Sequence, residues 1–294
     1  MSGTAFRSAD RAGKRTPHDD PVAAALRQEV AHAARLRRRD LVLAAGTPLA
    51  LLILWEISSF AGWIDVRLFS SPRRIAEASV SMIANGELVR HLVPTVLRLS
   101  VGYLCGAALG VLVGMLMGIW RPLRASMEPT FTALYSLPKI AILPLLLLIF
   151  GLNETPRVLS VVISVFFVMQ INTLAGILHI DHGILETGRA YNATGWKRFR
   201  FVILPAATPQ IFTGLRVAAG MAVVVVTAVE FVNSKSGLGY LIWNSWQLFQ
   251  PVKMYVGLIS VSIVGASLTF IVIQIEKRLL PWREADVPTK QKEE

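Results

Sequence analysis

Residues 254–275 read MYVGLISVSIVGASLTFIVIQI, a run without one charged side chain that stops at Glu276-Lys277-Arg278. A helix of about 20 apolar residues crosses the hydrocarbon core of a bilayer, and inside lipid only a segment that satisfies its own backbone hydrogen bonds is viable. Five more stretches of similar length and character occur at about Leu41–Phe60, Val93–Ile119, Phe131–Phe150, Arg157–Leu178 and Ile211–Val232. The pattern predicts an all-α integral membrane protein with six transmembrane helices. The mean hydropathy of +0.53 and the 17% of charged residues agree with that class.

The net charge of +11 does not point to nucleic acid, because the Lys and Arg flank apolar runs and form no single patch with interleaved aromatics. Their distribution orients the chain instead. With the N-terminus inside, the inner flanks hold fourteen Lys and Arg (at 27, 35, 37, 38, 39, 121, 124, 189, 197, 198, 200, 277, 278 and 283). The outer flanks hold seven, at 67, 73, 74, 90, 157, 235 and 253. Both termini are therefore expected in the cytoplasm. Residues 1–40 form a cytoplasmic tail ending in a basic amphipathic helix opened by Asp20-Pro21. Residues 41–282 form the six-helix transmembrane domain, and 283–294 a second cytoplasmic tail. The first twenty residues lack the apolar core and cleavage site of a signal peptide and read as a disordered tail.

Between spans one and two, SSPRRIAEASVSMIANGEL predicts a short helix capped by Ser71, with Pro72 in its first turn and Asn85-Gly86 at its end. Ile75, Met82 and Ile83 lie near one face, and the helix is expected flat at the outer interface. Span two carries Gly102, Gly106, Gly110, Gly114 and Gly118, one glycine every four residues. Such a face marks close helix-to-helix contact, either within the chain or at a moving or subunit interface.

Catalytic groups are not found. No Gly-Lys-Ser/Thr loop for nucleotide phosphates exists, so the chain is not expected to hydrolyse ATP. His179 and His182 flank Asp181 without further ligands at metal-site spacing, Cys105 is the one cysteine, and no Asp lies inside a span. Charges in or near spans remain to be explained, because burying them costs about 2.5–3.5 kcal/mol on insertion scales. Arg216 either snorkels to the cytoplasmic interface or lines a polar route. Glu230 and Glu56 either reach the outer interface or line such a route. Lys139 sits in the proline-broken LPKIAILP.

Residues 179–208, HIDHGILETGRAYNATGWKRFRFVILPAAT, fall on the cytoplasmic side. They predict one short helix to about Tyr191, a turn over Asn192 to Gly195, and a second helix over Trp196 to Val202, with Pro205 and Pro209 breaking the path before span five. The helices present Ile184, Leu185, Trp196, Phe199 and Phe201 on one side, a shape suited to a partner's groove.

This loop resembles the signature of inner-membrane permease subunits of ATP-binding-cassette importers: Glu-Ala-Ala, a glycine four positions after the second alanine, then Ile-x-Leu-Pro. Glu186 fits the glutamate, Val202 the isoleucine and Leu204-Pro205 the end. Thr187 and Gly188 replace the alanines, and Asn192 stands at the glycine. Asparagine is the mildest non-glycine choice for positive φ, so the shape is expected to survive. The segments LFSSPRRIAEA, LPKIAILPLLLLIFGLNE, INTLAG, GLRVAAGMA, VEFVNSKSGLGYLI and EKRLLPW resemble the nitrate, sulfonate and taurine type of permease.

The resemblance implies the type I importer permease fold in a bacterial inner membrane, with no catalytic residue, metal or cofactor on this chain. It implies cytoplasmic ATPase subunits carrying ATP and Mg, an external substrate-binding protein, lipid, and a second permease copy as partners. Glu186, Arg189, Asn192, Gly195, Leu204 and Pro205 would shape and dock the coupling loop. A small solute such as a sulfonate, taurine or nitrate would pass between two copies near Lys139, Arg216 and Glu230. The competing class, a self-sufficient six-span transporter or channel, predicts inverted repeats and mid-membrane acids, and neither stands out in the sequence.

Overall fold

The computed structural model describes residues 21–281, and among these every element is helical. Asp20, the predicted tail over 1–20, Trp282 and the tail over 283–294 lie outside the described residues. The chain divides into two units, one ending at Val66 and one beginning at Arg67. In the first, α1 (Pro21–Phe60) is a single helix of 40 residues that carries the expected basic segment and the first span without a break. A single turn, α2 (Val66–Phe69), stands at the boundary.

The second unit continues with α3 (Pro72–Ala84), α4 (Glu87–Ile119), α5 (Arg121–Tyr135), a 3-10 turn (Lys139–Ile142) and α6 (Leu143–Phe150). Then come α7 (Thr155–Leu178), α8 (His182–Ala190), α9 (Gly195–Arg198), a π turn (Phe199–Ile203), α10 (Leu204–Asn233), α11 (Leu238–Gln247) and α12 (Pro251–Leu279). Five segments are long and apolar enough to cross a bilayer: Val42–Phe60, Glu87–Ile119, Thr155–Leu178, Gly195–Val232 and Pro251–Leu279. The α5–α6 pair makes a sixth if counted as one bent span.

That pair contains the third span expected over Phe131–Phe150, with the break at LPKIAILP that its prolines predicted. The chain bends by 93° between Tyr135 and Lys139. Pro138 disfavours helical backbone at Leu137 and has no N–H to continue the ladder. The Lys139 ammonium then closes the freed end of α5. It donates to the carbonyls of Leu137 at 2.9 Å, Leu134 at 3.4 Å and Tyr135, and lies over the rings of Tyr135 at 4.9 Å and Phe167 at 5.2 Å.

The expected break before span five does not occur. Pro205 falls in the first turn of α10, where no N–H is needed, the π turn absorbs the chain just before it, and the helix runs on through Pro209. In α3 the predicted caps form: Ser71 Oγ accepts from Arg74 N, and Gly86 takes φ +76°. Ile75 and Met82 are buried against neighbouring helices, whereas Ile83, expected on the same face, is exposed.

The core of this unit is α4 against α7 and α7 against α10, built from Leu99, Tyr103, Val161, Val165, Met169, Ala218, Ala222 and Val226 among others. The five-glycine face of α4 is spent on α7. A Cβ at Gly106 would lie 2.6 Å from the Val162 carbonyl oxygen, one at Gly110 2.6 Å from that of Phe166, and one at Gly114 2.7 Å from that of Gln170. At Gly102 and Gly118 it would meet Val161 and Ile177 at 2.6 and 2.7 Å. Of the two uses open to a glycine face, the structure takes packing within the chain.

Candidate functional site

The polar chemistry of the second unit gathers at the two ends of α10. At its N-terminal end, α8 begins under an Asp181 cap, whose Oδ1 accepts from Gly183 N at 2.7 Å. The helix stops where Asn192 adopts φ +50° and Gly195 φ +51°, the left-handed turn that the sequence required of an asparagine at this place. The Ala193 and Asn192 N–H groups close it onto the Gly188 and Arg189 carbonyls at 2.9 Å. Gly188, at the second alanine of the signature, lets α8 approach the π turn, since a Cβ there would be 2.9 Å from Val202 Cγ2. Between them lies a groove of about 620 Å³ lined by Ile184, Thr187, Tyr191, Phe201, Val202 and Pro205 among others. Tyr191, Trp196 and Phe201 stand out at 84%, 70% and 70% exposure, and Ile184 is also exposed. Glu186 and Arg189 belong to α8, Gly195 opens α9, and Leu204-Pro205 open α10.

At the other end of α10, Glu230 is completely buried, which removes the reading in which it reaches an interface. Its carboxylate accepts from Thr95 Oγ1 at 2.9 Å, Arg98 Nη1 at 2.7 Å and Gly239 N at 2.8 Å. The glycines of the SGLG segment follow from this placement. A Cβ at Gly237, φ +117°, would meet the Glu230 carboxyl carbon at 2.3 Å, and one at Gly239 would meet its Cβ at 2.7 Å. Arg98, in the middle of VLRLS on α4, uses every donor of its guanidinium. Nη1 also reaches Ser236 O at 2.8 Å, Nη2 reaches Ser236 Oγ at 3.1 Å, and Nε and Nη2 grip Glu154 at 2.6 and 2.9 Å. Arg157 Nη1 adds a bond to Glu154 Oε1 at 2.9 Å and one to Asn153 O at 3.0 Å. Thr95 Oγ1 accepts from Leu238 N at 2.7 Å, so α4, the loop before α7, α10 and α11 are tied at one point.

Glu154 precedes α7. The Arg98 hydrogen bond, with the Arg157 charge behind it, holds its carboxyl below the usual carboxylate range. Because the folded value is depressed, the stability it lends is present above the unfolded carboxylate range and is lost as pH falls through the folded value. With its side chain 62% exposed, that contribution is screened by solvent.

Arg98, Thr95, Glu154 and the pairing of Arg157 were not singled out from the sequence. The signal was present for Arg98, a charge inside an apolar run, and the same cost argument that marked Arg216 applies to it. Of the predicted route residues, Lys139 is nearly buried in its elbow and Glu230 fully buried in the cluster, so neither presents its charge to a passing solute in this conformation. Arg216, with 36% of its side chain exposed, faces Glu276 of α12 at 3.5 Å.

The family described as "Binding-protein-dependent transport system inner membrane component" matches residues 106–282. An aliphatic sulfonates transport permease protein, SsuC of Bacillus subtilis, is 31% identical over 238 residues, covering 81% of this chain and 86% of that protein. The bicarbonate transport system permease protein CmpB of Synechococcus elongatus is 29% identical over 241 residues, covering 79% and 87%. Among solved structures, an inward-facing MetNI methionine ABC transporter superposes with a TM-score of 0.57 at 20% identity, covering 65% of this chain and 95% of the other. That likeness speaks for the fold alone.

Proposed function

The chain belongs to the inner membrane components of binding-protein-dependent transport systems, and from that premise we propose that it is the permease subunit of an importer for a small oxyanion. The solute is delivered by an external substrate-binding protein and moved across a bacterial inner membrane by separate ATPase subunits that carry ATP and Mg. The relatives named for sulfonates and for bicarbonate support the solute class, since both solutes are anions whose charge is spread over oxygens. The excess of Lys and Arg on one set of flanks supports cytoplasmic termini, and with them a cytoplasmic loop over residues 179–208.

The observation that carries the reading is the shape of that loop. A short capped helix, a left-handed turn at Asn192 and a second turn of helix form a compact projection whose large side chains, Tyr191, Trp196 and Phe201, are left uncovered. Exposed aromatics on a rigid turn suit the groove of a partner, because they bury much area and lose little conformational entropy. In the proposed cycle, ATPase closure pulls this projection and turns the permease halves, with the solute passing between two copies and Arg216 as the charge along its route. Glu186, Arg189, Gly195, Leu204 and Pro205 hold the projection in shape.

Deletion of residues 191–195 tests the coupling. The expected result is loss of ATPase co-purification and of transport, with the helical content and membrane insertion of the permease retained. Undiminished assembly and transport would overturn the docking role.

A further inference from the structure

Two almost buried guanidinium groups converge on one exposed carboxylate. The Arg98 and Arg157 side chains are 4% and 9% exposed, while Glu154 between them is 62% exposed. Arg98 is fixed from behind: its remaining donors go to Glu230 and to both oxygens of Ser236. That anchoring leaves Nε and Nη2 side by side as a fork, Nε on Glu154 Oε2 and Nη2 on Oε1, and Arg157 Nη1 shares Oε1 with Nη2. A planar fork of this kind recognises any group that offers two oxygens in one plane, whether carboxylate, sulfonate or bicarbonate.

Charge points the same way. Arg98 and Arg157 face Glu230 and Glu154 in one cluster, so moving Glu154 away removes one of the two carboxylates that the guanidinium groups hold. Glu154 is also the member most easily moved. It lies on the short link between α6 and α7 that starts at Gly151, φ +77°, and its side chain is the one in the cluster that solvent reaches. Solvent reaches the pair from the Glu154 side, so a solute that offers two oxygens of its own can compete for the fork.

We propose that Arg98 and Arg157 form a binding site for the oxyanion group of a small solute, and that Glu154 occupies it here as a carboxylate supplied by the chain itself. The site lies at the end of the unit where α10 leads into α11, opposite the loop of α8 and α9. On the proposed orientation that is the outer mouth. Binding there requires neither ATPase nor binding protein, so its failure would leave the permease assignment untouched.

The test uses the full-length chain purified in detergent, with methanesulfonate as the probe and chloride at equal ionic strength as the control. Thermal unfolding is followed for wild type, Glu154→Ala, Glu154→Gln and Glu154→Ala/Arg157→Gln. Glu154→Ala is expected to unfold below wild type in chloride and to recover in methanesulfonate, with about a tenfold preference for the oxyanion over chloride that wild type lacks. Glu154→Gln keeps the bulk of the side chain and hence the fold where alanine does not, and it is expected to show the same preference. In the double variant the preference should fall severalfold. Equal responses of wild type and the Glu154 variants, no preference over chloride, or a double variant that binds as well as the single would each overturn the site.

Discussion

The two ends of α10 are built on opposite principles. At the Glu230 end, a carboxylate with no exposed surface has a partner for each oxygen, and the arginine facing it uses all five of its N–H groups within the chain. At the Leu204 end, Tyr191, Trp196 and Phe201 are left exposed on a tight turn held mainly by its own backbone. The first end is complete in one chain. The second has the chemistry of half an interface, in keeping with the docking role proposed for it.

The contrast breaks first where it is strongest. Arg98→Ala strands Glu230 as an unpaired buried charge, for which a loss of about 3–5 kcal/mol is expected. It should appear as a collapse of thermal stability in detergent, with Glu230→Gln in the same background recovering part of it; a variant as stable as wild type would show that the cluster is not a completed structural unit. At the other end, Trp196→Ala should leave unfolding within about 0.5 kcal/mol of wild type. Its effect is expected on association, with ATPase binding weakened by about 2 kcal/mol, near thirtyfold, as measured by titrating the ATPase onto reconstituted permease. Stability falling with affinity unchanged would invert the comparison. The smallest effect concerns the turn. Asn192→Val places a β-branched residue at φ +50° and should cost about 1–2 kcal/mol, whereas Asn192→Gly should be neutral within about 0.5 kcal/mol. A hydrogen-exchange comparison of residues 188–195 would register the difference even where melting does not.

Much of this was legible in the sequence because it is local. Apolar runs marked the spans, Ser71-Pro72 and Asn85-Gly86 marked the ends of α3, and the missing glycine of the signature predicted a positive φ at Asn192. What was not legible depends on partners distant in sequence. Arg98 meets Glu230 across 132 residues and Glu154 across 56, and no local pattern pairs them. Counting basic residues in the flanks passed over Arg98 because it lies inside a span, where only the cost of burial calls for a counter-ion. Prolines were legible in one place and misleading in another. Pro138, read as a break, turns the chain by 93° together with the Lys139 ammonium, whereas Pro205, also read as a break, falls in the first turn of α10 and Pro209 lies within that helix. Composition identifies a weak point in a helix; what the carbonyls find next decides whether it bends.

The glycine face of α4 also limits how the molecule can move. Each glycine sits over backbone or a Cβ of α7 at a separation that no side chain tolerates, and the contacts repeat every four residues. Shifting α4 by one residue along α7 would drive Leu or Val side chains into those carbonyls, and clearance returns only after a step of about 6 Å, four residues of helix rise. The pair therefore behaves as a ratchet with one engaged notch. A twist applied at one end of the pair is passed to the other without slipping.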